Sequence, residues 1–211
     1  MTYQCVATSV AGFVQQLAVS YVARGYYFYV TGRIPSDKDP AKTDEKILGT
    51  YAIDVSKWVR ARRKRWGLAR VQYLRWSREF VILASHGEQL FFEAEARRLQ
   101  DVREAPIQFQ GYSIGCRKSP HDGKWHVSVR IAPNAYRELK ARFELVAMHR
   151  TVEELVQELR SVPFEPYAPV RDQLRAVVRA VNRRRQAAAL EPVPAALLRY
   201  HRRPVKPFGP G

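Results

Sequence analysis

The apolar positions of this chain change period several times, and each change marks an element. Val10, Phe13, Val14, Leu17, Tyr21 and Val22 recur at helical spacing, with Thr8 or Ser9 placed to cap the start and Gly25 just past the end. The stretch YYFYVTGRI (26–34), rich in aromatic and β-branched residues and stopped by Pro35, predicts a strand. Its faces differ: Tyr26, Phe28, Val30 and Ile34 lie on one, Tyr27, Tyr29, Thr31 and Arg33 on the other. Asp39 and Pro40 then open a short helix reaching about Tyr51, and a second helix is expected from Ser56 to Gly67.

Residues 69–76 and 79–85 read as two strands joined tightly near Ser77, and QLFFEAEARRLQDVRE (89–104) reads as a helix. Residues 107–117 and 124–132 form the clearest hairpin, with Asp122 and Gly123 in its turn and Trp125, Val127, Val129 and Ile131 on one face. Beyond it the period is helical. Tyr136, Leu139, Phe143 and Val146 mark one helix, Thr151 with Glu154 a capping box for the next, and VPFEPYAP separates these from a last helix over about 169–190. The expected fold is α+β: a largely antiparallel sheet with packed helices (1–132), a helical C-terminal region (133–190) and a basic, proline-rich extended tail (191–211).

Charge changes this picture from architecture to surface. The 211 residues carry 36 Lys and Arg against 20 Asp and Glu, a net charge of +16. The excess is confined. VSKWVRARRKRWGLARVQYLRWSR (55–78) holds nine cations and no acid, and residues 170–211 hold ten cations against Asp172 and Glu191, leaving the rest of the chain close to neutral. Such clustering is the electrostatic footprint of a polyanion, and it points to nucleic acid without favouring DNA or RNA.

Two helices would carry the contacts. Lys57, Arg60, Arg62, Arg63, Lys64 and Arg65 wind around the helix near 56–66, with Arg70 just beyond it. Arg171, Arg175, Arg179 and Arg183 recur every four residues, forming a row opposite Leu174, Val177, Val178 and Val181, and Arg184 and Arg185 extend it. Like charges at that spacing repel, so the row makes sense if phosphates neutralise it; the plain alternative is a solvated basic face. Trp58 and Trp66, set among the cations, are expected in the core, the usual place of Trp. For Tyr27 and Tyr29, base stacking and burial under a covering layer stand level.

Catalysis has thinner support. His86, at a strand end with Glu88 and Glu93 nearby in sequence, is the best candidate for an acid or base, and Tyr29 is a second residue that could act on a bound strand. A turn histidine without a role is the commoner case. Cys116, His121 and His126 match no zinc spacing, and no P-loop, zincin, His-x-His or carboxylate nuclease signature is present in the sequence. No metal and no cofactor is therefore expected, and any enzymatic activity would be that of a nuclease or processing ribonuclease of mobile-element or defence type. A structural protein bound to ribosomal RNA or to an anionic surface is the other rival.

The helix VAGFVQQLAV followed by a strand, then two strands, helix, hairpin and helix, resembles over about residues 8–147 the element order of LAGLIDADG homing endonucleases. That family's helix ends in a metal-holding acid, where this chain has Gln15, Gln16 and Leu17, so the resemblance implies DNA binding without cleavage. It is one of element order alone, and no membership is drawn from it. Two lone cysteines predict no disulfide framework, and the apolar stretch near the start, broken by Gln15, Gln16 and Arg24, predicts neither a signal peptide nor a membrane span, so a cytoplasmic protein is expected.

Overall fold

The computed structural model describes residues 3–194, 196, 198, 201, 202 and 204–209. Arg199 and Arg203 of the basic tail lie outside the described residues. The protein is α+β, with two antiparallel sheets and helices dominating the C-terminal region. The chain divides into two compact units: Met1–Ile107, Gly115–Val127 and Pro204–Gly211 in the first, Gln108–Ile114 and Ser128–Arg203 in the second.

The first unit begins with α1 (Val10–Gln15), whose cap is Ser9: its hydroxyl accepts the Gly12 N–H at 3.0 Å. The helical path continues through a π-helical stretch (Gln16–Tyr21) and a 3-10 turn (Val22–Arg24), and ends at Gly25 with φ +87°. Its inward face is the one predicted: Phe13, Val14, Leu17, Tyr21 and Val22 are buried. Residues of the tail return to this helix. The Gln15 amide donates to the Val205 carbonyl (2.6 Å) and accepts the Val205 N–H (3.1 Å), while the Thr8 N–H donates to the Pro207 carbonyl (3.0 Å). Gly12 makes room for that contact, since a Cβ there would come within 2.9 Å of the Pro207 Cα.

Four strands form the first sheet: β1 (Phe28–Arg33), β2 (Val71–Trp76), β3 (Glu79–Ala84) and β4 (Gln100–Asp101), in the order β2-β3-β1-β4. Phe28 to Arg33 of β1 pair antiparallel with Ala84 to Glu79 of β3. The outer edge of β2 is met by the segment Cys5–Ala7, where the Arg75 N–H donates to the Cys5 carbonyl and the Ala7 N–H to the Arg75 carbonyl, both at 2.7 Å. Such pairing removes an exposed strand edge. Under the sheet, Val30, Tyr51, Ile53, Val71, Tyr73, Ile82 and Phe91 form one apolar cluster.

Between β1 and β2 stand α2 (Pro40–Thr50), capped by Asp39, and α3 (Lys57–Arg65), capped by Ser56, both as expected. The helix expected over 89–104 is cut to α4 (Leu90–Ala94). Tertiary contacts override the local pattern here. Glu95 turns inward to accept the Tyr51 hydroxyl at 2.5 Å, and Gln100–Asp101 supply the second edge of β1 with a partner, aided by the Val102 N–H on the Tyr27 carbonyl (2.8 Å).

The second sheet is β5 (Ile107–Phe109), β6 (Tyr112–Lys118) and β7 (Trp125–Ile131) in sequential order. The stretch read as one strand over 107–117 is thus two. Gln110 (φ 45°) and Gly111 (φ 78°) form a two-residue turn with both dihedrals positive, the geometry that tight hairpins favour.

In the second unit, α5 (Pro133–Val146), α6 (Val152–Ser161) and α7 (Ala168–Ala187) enclose Ile131, Phe143, Leu155, Leu159, Leu174, Val177, Val178 and Val181. The predicted capping box is present, with the Thr151 hydroxyl and the Glu154 carboxylate exchanging backbone hydrogen bonds. Among the described residues no helix is long and apolar enough to cross a membrane.

Candidate functional site

Helix α3 does not pack as helices of compact proteins do. None of its nine residues is buried, because KWVRARRKR offers only Trp58, Val59 and Ala61 as apolar positions and no stripe for a core to receive. Trp58 and Trp66 are 75% and 66% exposed. The expectation that they belong to the core is overturned: both rings lie at the surface among the cations.

Residues 58, 62, 65 and 66 stand at i, i+4, i+7 and i+8, so Trp58, Arg62, Arg65 and Trp66 share one face. The Arg62 guanidinium lies 5.1 Å from the Trp66 ring centroid, and the Lys57 ammonium 5.3 Å from that of Trp58. Trp58, Ala61, Arg62 and Arg65 border an open depression of about 830 Å³. Lys57, Arg60, Lys64 and Arg65 are exposed, whereas Arg63 is half-buried and donates to the Ala52 carbonyl at 2.9 Å, tying the helix to the chain before it. Arg70 lies half-buried with its guanidinium 5.0 Å from the Tyr26 ring.

Other cations of the 55–78 run are committed to the fold. Arg75 is buried on Asp44, with Nε at 2.8 Å and Nη2 at 2.7 Å from its carboxylate oxygens, and the Tyr73 hydroxyl donates to the same carboxylate at 2.6 Å. Arg78 donates to the carbonyls of Pro35 and Lys38.

The row on α7 belongs to the second unit. Arg179, Arg183 and Arg184 are exposed, Arg171 and Arg175 half-buried, and Arg175 donates to Asp172 at 2.9 Å. Arg185 departs from the expected surface. It is 4% exposed, and its guanidinium donates to the carbonyls of Glu191 (2.5 Å), Ala147 (2.7 Å) and Arg150 (2.8 Å). It holds the chain ends of α5 and α7 together instead of facing solvent. Its position explains this: residue 185 continues the buried stripe 174, 178, 181 and not the row 171, 175, 179, 183.

Tyr29 is likewise withdrawn from any ligand. It is 2% exposed, its hydroxyl donates to the Ala105 carbonyl at 2.9 Å, and burial, reinforced by nearby Asp101, pushes its pKa up to about 12. A phenol so placed neither stacks on a base nor attacks a strand. Tyr27, just before β1, is half-buried, and the Arg103 guanidinium sits 4.7 Å from its ring centroid.

Arg103 is a residue the sequence reading missed. Its Nε reaches the two Asp101 oxygens at 2.9 and 3.0 Å and its Nη2 reaches one at 2.5 Å, while its own N–H donates to Asp101 at 2.9 Å. Burial would raise the Asp101 carboxyl's pKa, but these bonds outweigh it and hold the group below the ordinary carboxylate value. Neighbouring Cys116 is pushed up to about 11 by burial and by Asp101, so its thiol stays protonated near neutral pH.

His86 is exposed, and its ring lies 6.4 Å from that of Phe28. Among the described residues no carboxylate hydrogen-bonds to it, so Glu88 and Glu93 do not orient it. The ring of His126 pairs with Asp122 at 3.0 Å. Among the described residues no cluster of three His, Cys, Asp or Glu side chains is arranged to hold a metal ion.

Comparison of the chain with known protein families, with curated proteins and with solved structures finds no match. The likeness to homing endonucleases therefore stops at element order.

Proposed function

We propose that the protein binds nucleic acid through its phosphate backbone, with α3 as the principal contact and the α7 arginines adding charge. One observation carries the reading: a nine-residue helix with no buried residue presents five exposed cations and, with Trp66 at its end, two exposed indoles. A surface helix with that composition gains little from its own fold, so its side chains are explained by a ligand. Arginine suits phosphate because its fork matches the anion's oxygens, and exposed Trp beside Arg suits bases.

An anionic membrane surface would also attract this helix, but a helix lying in an interface separates its apolar face from its basic one. On α3 the indoles share their face with Arg62 and Arg65. That interleaving favours a partner with phosphates and flat rings at alternating positions.

The test is a fluorescence-anisotropy titration of labelled oligonucleotides across a range of salt, beside cosedimentation with phosphatidylserine vesicles. Binding to oligonucleotide that weakens steeply with salt supports the reading; capture by vesicles with none by oligonucleotide rejects it. If the α7 row joins the interface, replacing Arg175, Arg179 and Arg183 by Gln is expected to lower the log-log salt slope by about 2 on a single strand, at ~0.7 per lost contact. An unchanged slope would remove that row from the interface and leave α3 alone.

A further inference from the structure

The hairpin of β6 and β7 ends in a second arrangement of ring and cation, separate in sequence from α3. Trp125 opens β7 directly after the turn closed by the Ser119 N–H on the Lys124 carbonyl (2.8 Å), and it is 39% exposed. The Arg103 guanidinium lies 5.9 Å from its ring centroid, 4.7 Å from that of Tyr27 and 5.7 Å from that of Phe28.

This guanidinium is fixed, not waving. Asp101 grips Nε and Nη2 and is itself in β4, paired with Phe28 of β1, so the plane of the cation is set by the sheet. Its third nitrogen, Nη1, has no hydrogen-bond acceptor among the described residues. A cation held against rings with one donor pair left over is ready to meet an acceptor on something that lies on the rings.

The surrounding charge has the sign such a ligand would need. Arg117, Lys118 and Lys124, on the two sides of the turn, are all exposed. Asp122, the acid in that turn, is engaged by the His126 ring.

We propose that Trp125, with Arg103 held over its ring by Asp101, is a stacking seat for an unpaired nucleobase, and hence that the ligand is single-stranded nucleic acid. The inference deepens the nucleic-acid reading and rests on it. A flat ring lies on the face of the indole that Arg103 leaves open, and Arg103 Nη1 and the hairpin cations meet the flanking phosphates. Bases inside a duplex are already stacked and do not offer that face.

The experiment uses the full chain and two fluorescein-labelled probes, an oligothymidylate of about twelve nucleotides, within the span one such module covers, and a blunt-ended DNA duplex of about twelve base pairs. Trp125→Ala is expected to weaken oligothymidylate binding about tenfold, the lower part of the range for one stacked base, and to change duplex binding less than twofold. Trp125→Phe, which keeps a flat ring, is expected to retain most of the affinity.

A second measurement avoids any dependence on how the variants fold: oxidation of the parent protein by N-bromosuccinimide, read at Trp125 by peptide mass spectrometry. Saturating oligothymidylate should protect Trp125, and the duplex should not. Equal oxidation with and without bound oligothymidylate, or equal losses on both probes in Trp125→Ala, overturns the seat while leaving phosphate binding by α3 intact. A parent that binds neither probe overturns the nucleic-acid reading itself, and the seat with it.

Discussion

Replacing Asp44 by Ala is expected to destabilise the protein by about 3–5 kcal/mol, the cost of removing one partner from a buried ion pair. Arg75 is 9% exposed and Asp44 7%, so the variant leaves a guanidinium that water reaches poorly and strips the Tyr73 hydroxyl of its acceptor. The loss should appear as a large fall in the urea midpoint. The pair's net contribution is a separate matter: Asp44→Leu combined with Arg75→Met is expected to recover much of the loss, because two apolar side chains need no mutual compensation. A fall below about 1 kcal/mol in Asp44→Ala would show that water or another group already satisfies Arg75.

The second large effect is on binding. Arg62→Gln with Arg65→Gln removes two exposed cations from the face that carries Trp58 and Trp66, and α3 has no buried residue for the change to disturb. If each contacts a phosphate, oligonucleotide affinity at 0.1 M salt should fall about 25- to 60-fold, from ~0.7–0.9 log units per contact. The thermal midpoint should stay put. Unchanged affinity in a folded variant takes this face out of the interface. Arg63→Gln is the useful contrast, since its tie to the Ala52 carbonyl makes it partly structural.

Why some of this was legible in the sequence and some was not follows from particular residues. Caps and turns are local chemistry, so Ser9, Asp39, Ser56, the Thr151–Glu154 box and the tight join at Ser77 (φ 52°) could be read directly. The end of α4 could not, because it depends on β1 lacking a partner on one edge, a fact about strand order. The same is true of Tyr29, whose alternation with Tyr27 says which residues share a face but not what covers it.

The charged residues divide along similar lines. Arg75 counts as a free cation until Asp44, 31 residues away, is seen to hold it. Two signals are present in the sequence. Arg185 falls on the apolar stripe of its helix, and a helix with only Trp58, Val59 and Ala61 among nine residues has nothing to bury, so its indoles had to face outward. Arg103 had no sequence signal beyond Asp101 two residues before it.

The return of residues 204–209 to α1 has a consequence for biosynthesis. Gln15 and Val205 are 190 positions apart, and the whole of Ser128–Arg203 lies between them, so the second unit is in effect inserted into the first. At ~5–20 residues per second, a ribosome needs about 10–40 s between making the two partners. Throughout that interval the amide of Gln15 and the bare backbone of Gly12 await residues 205 and 207, and α1 is completed only after a segment made 190 residues later.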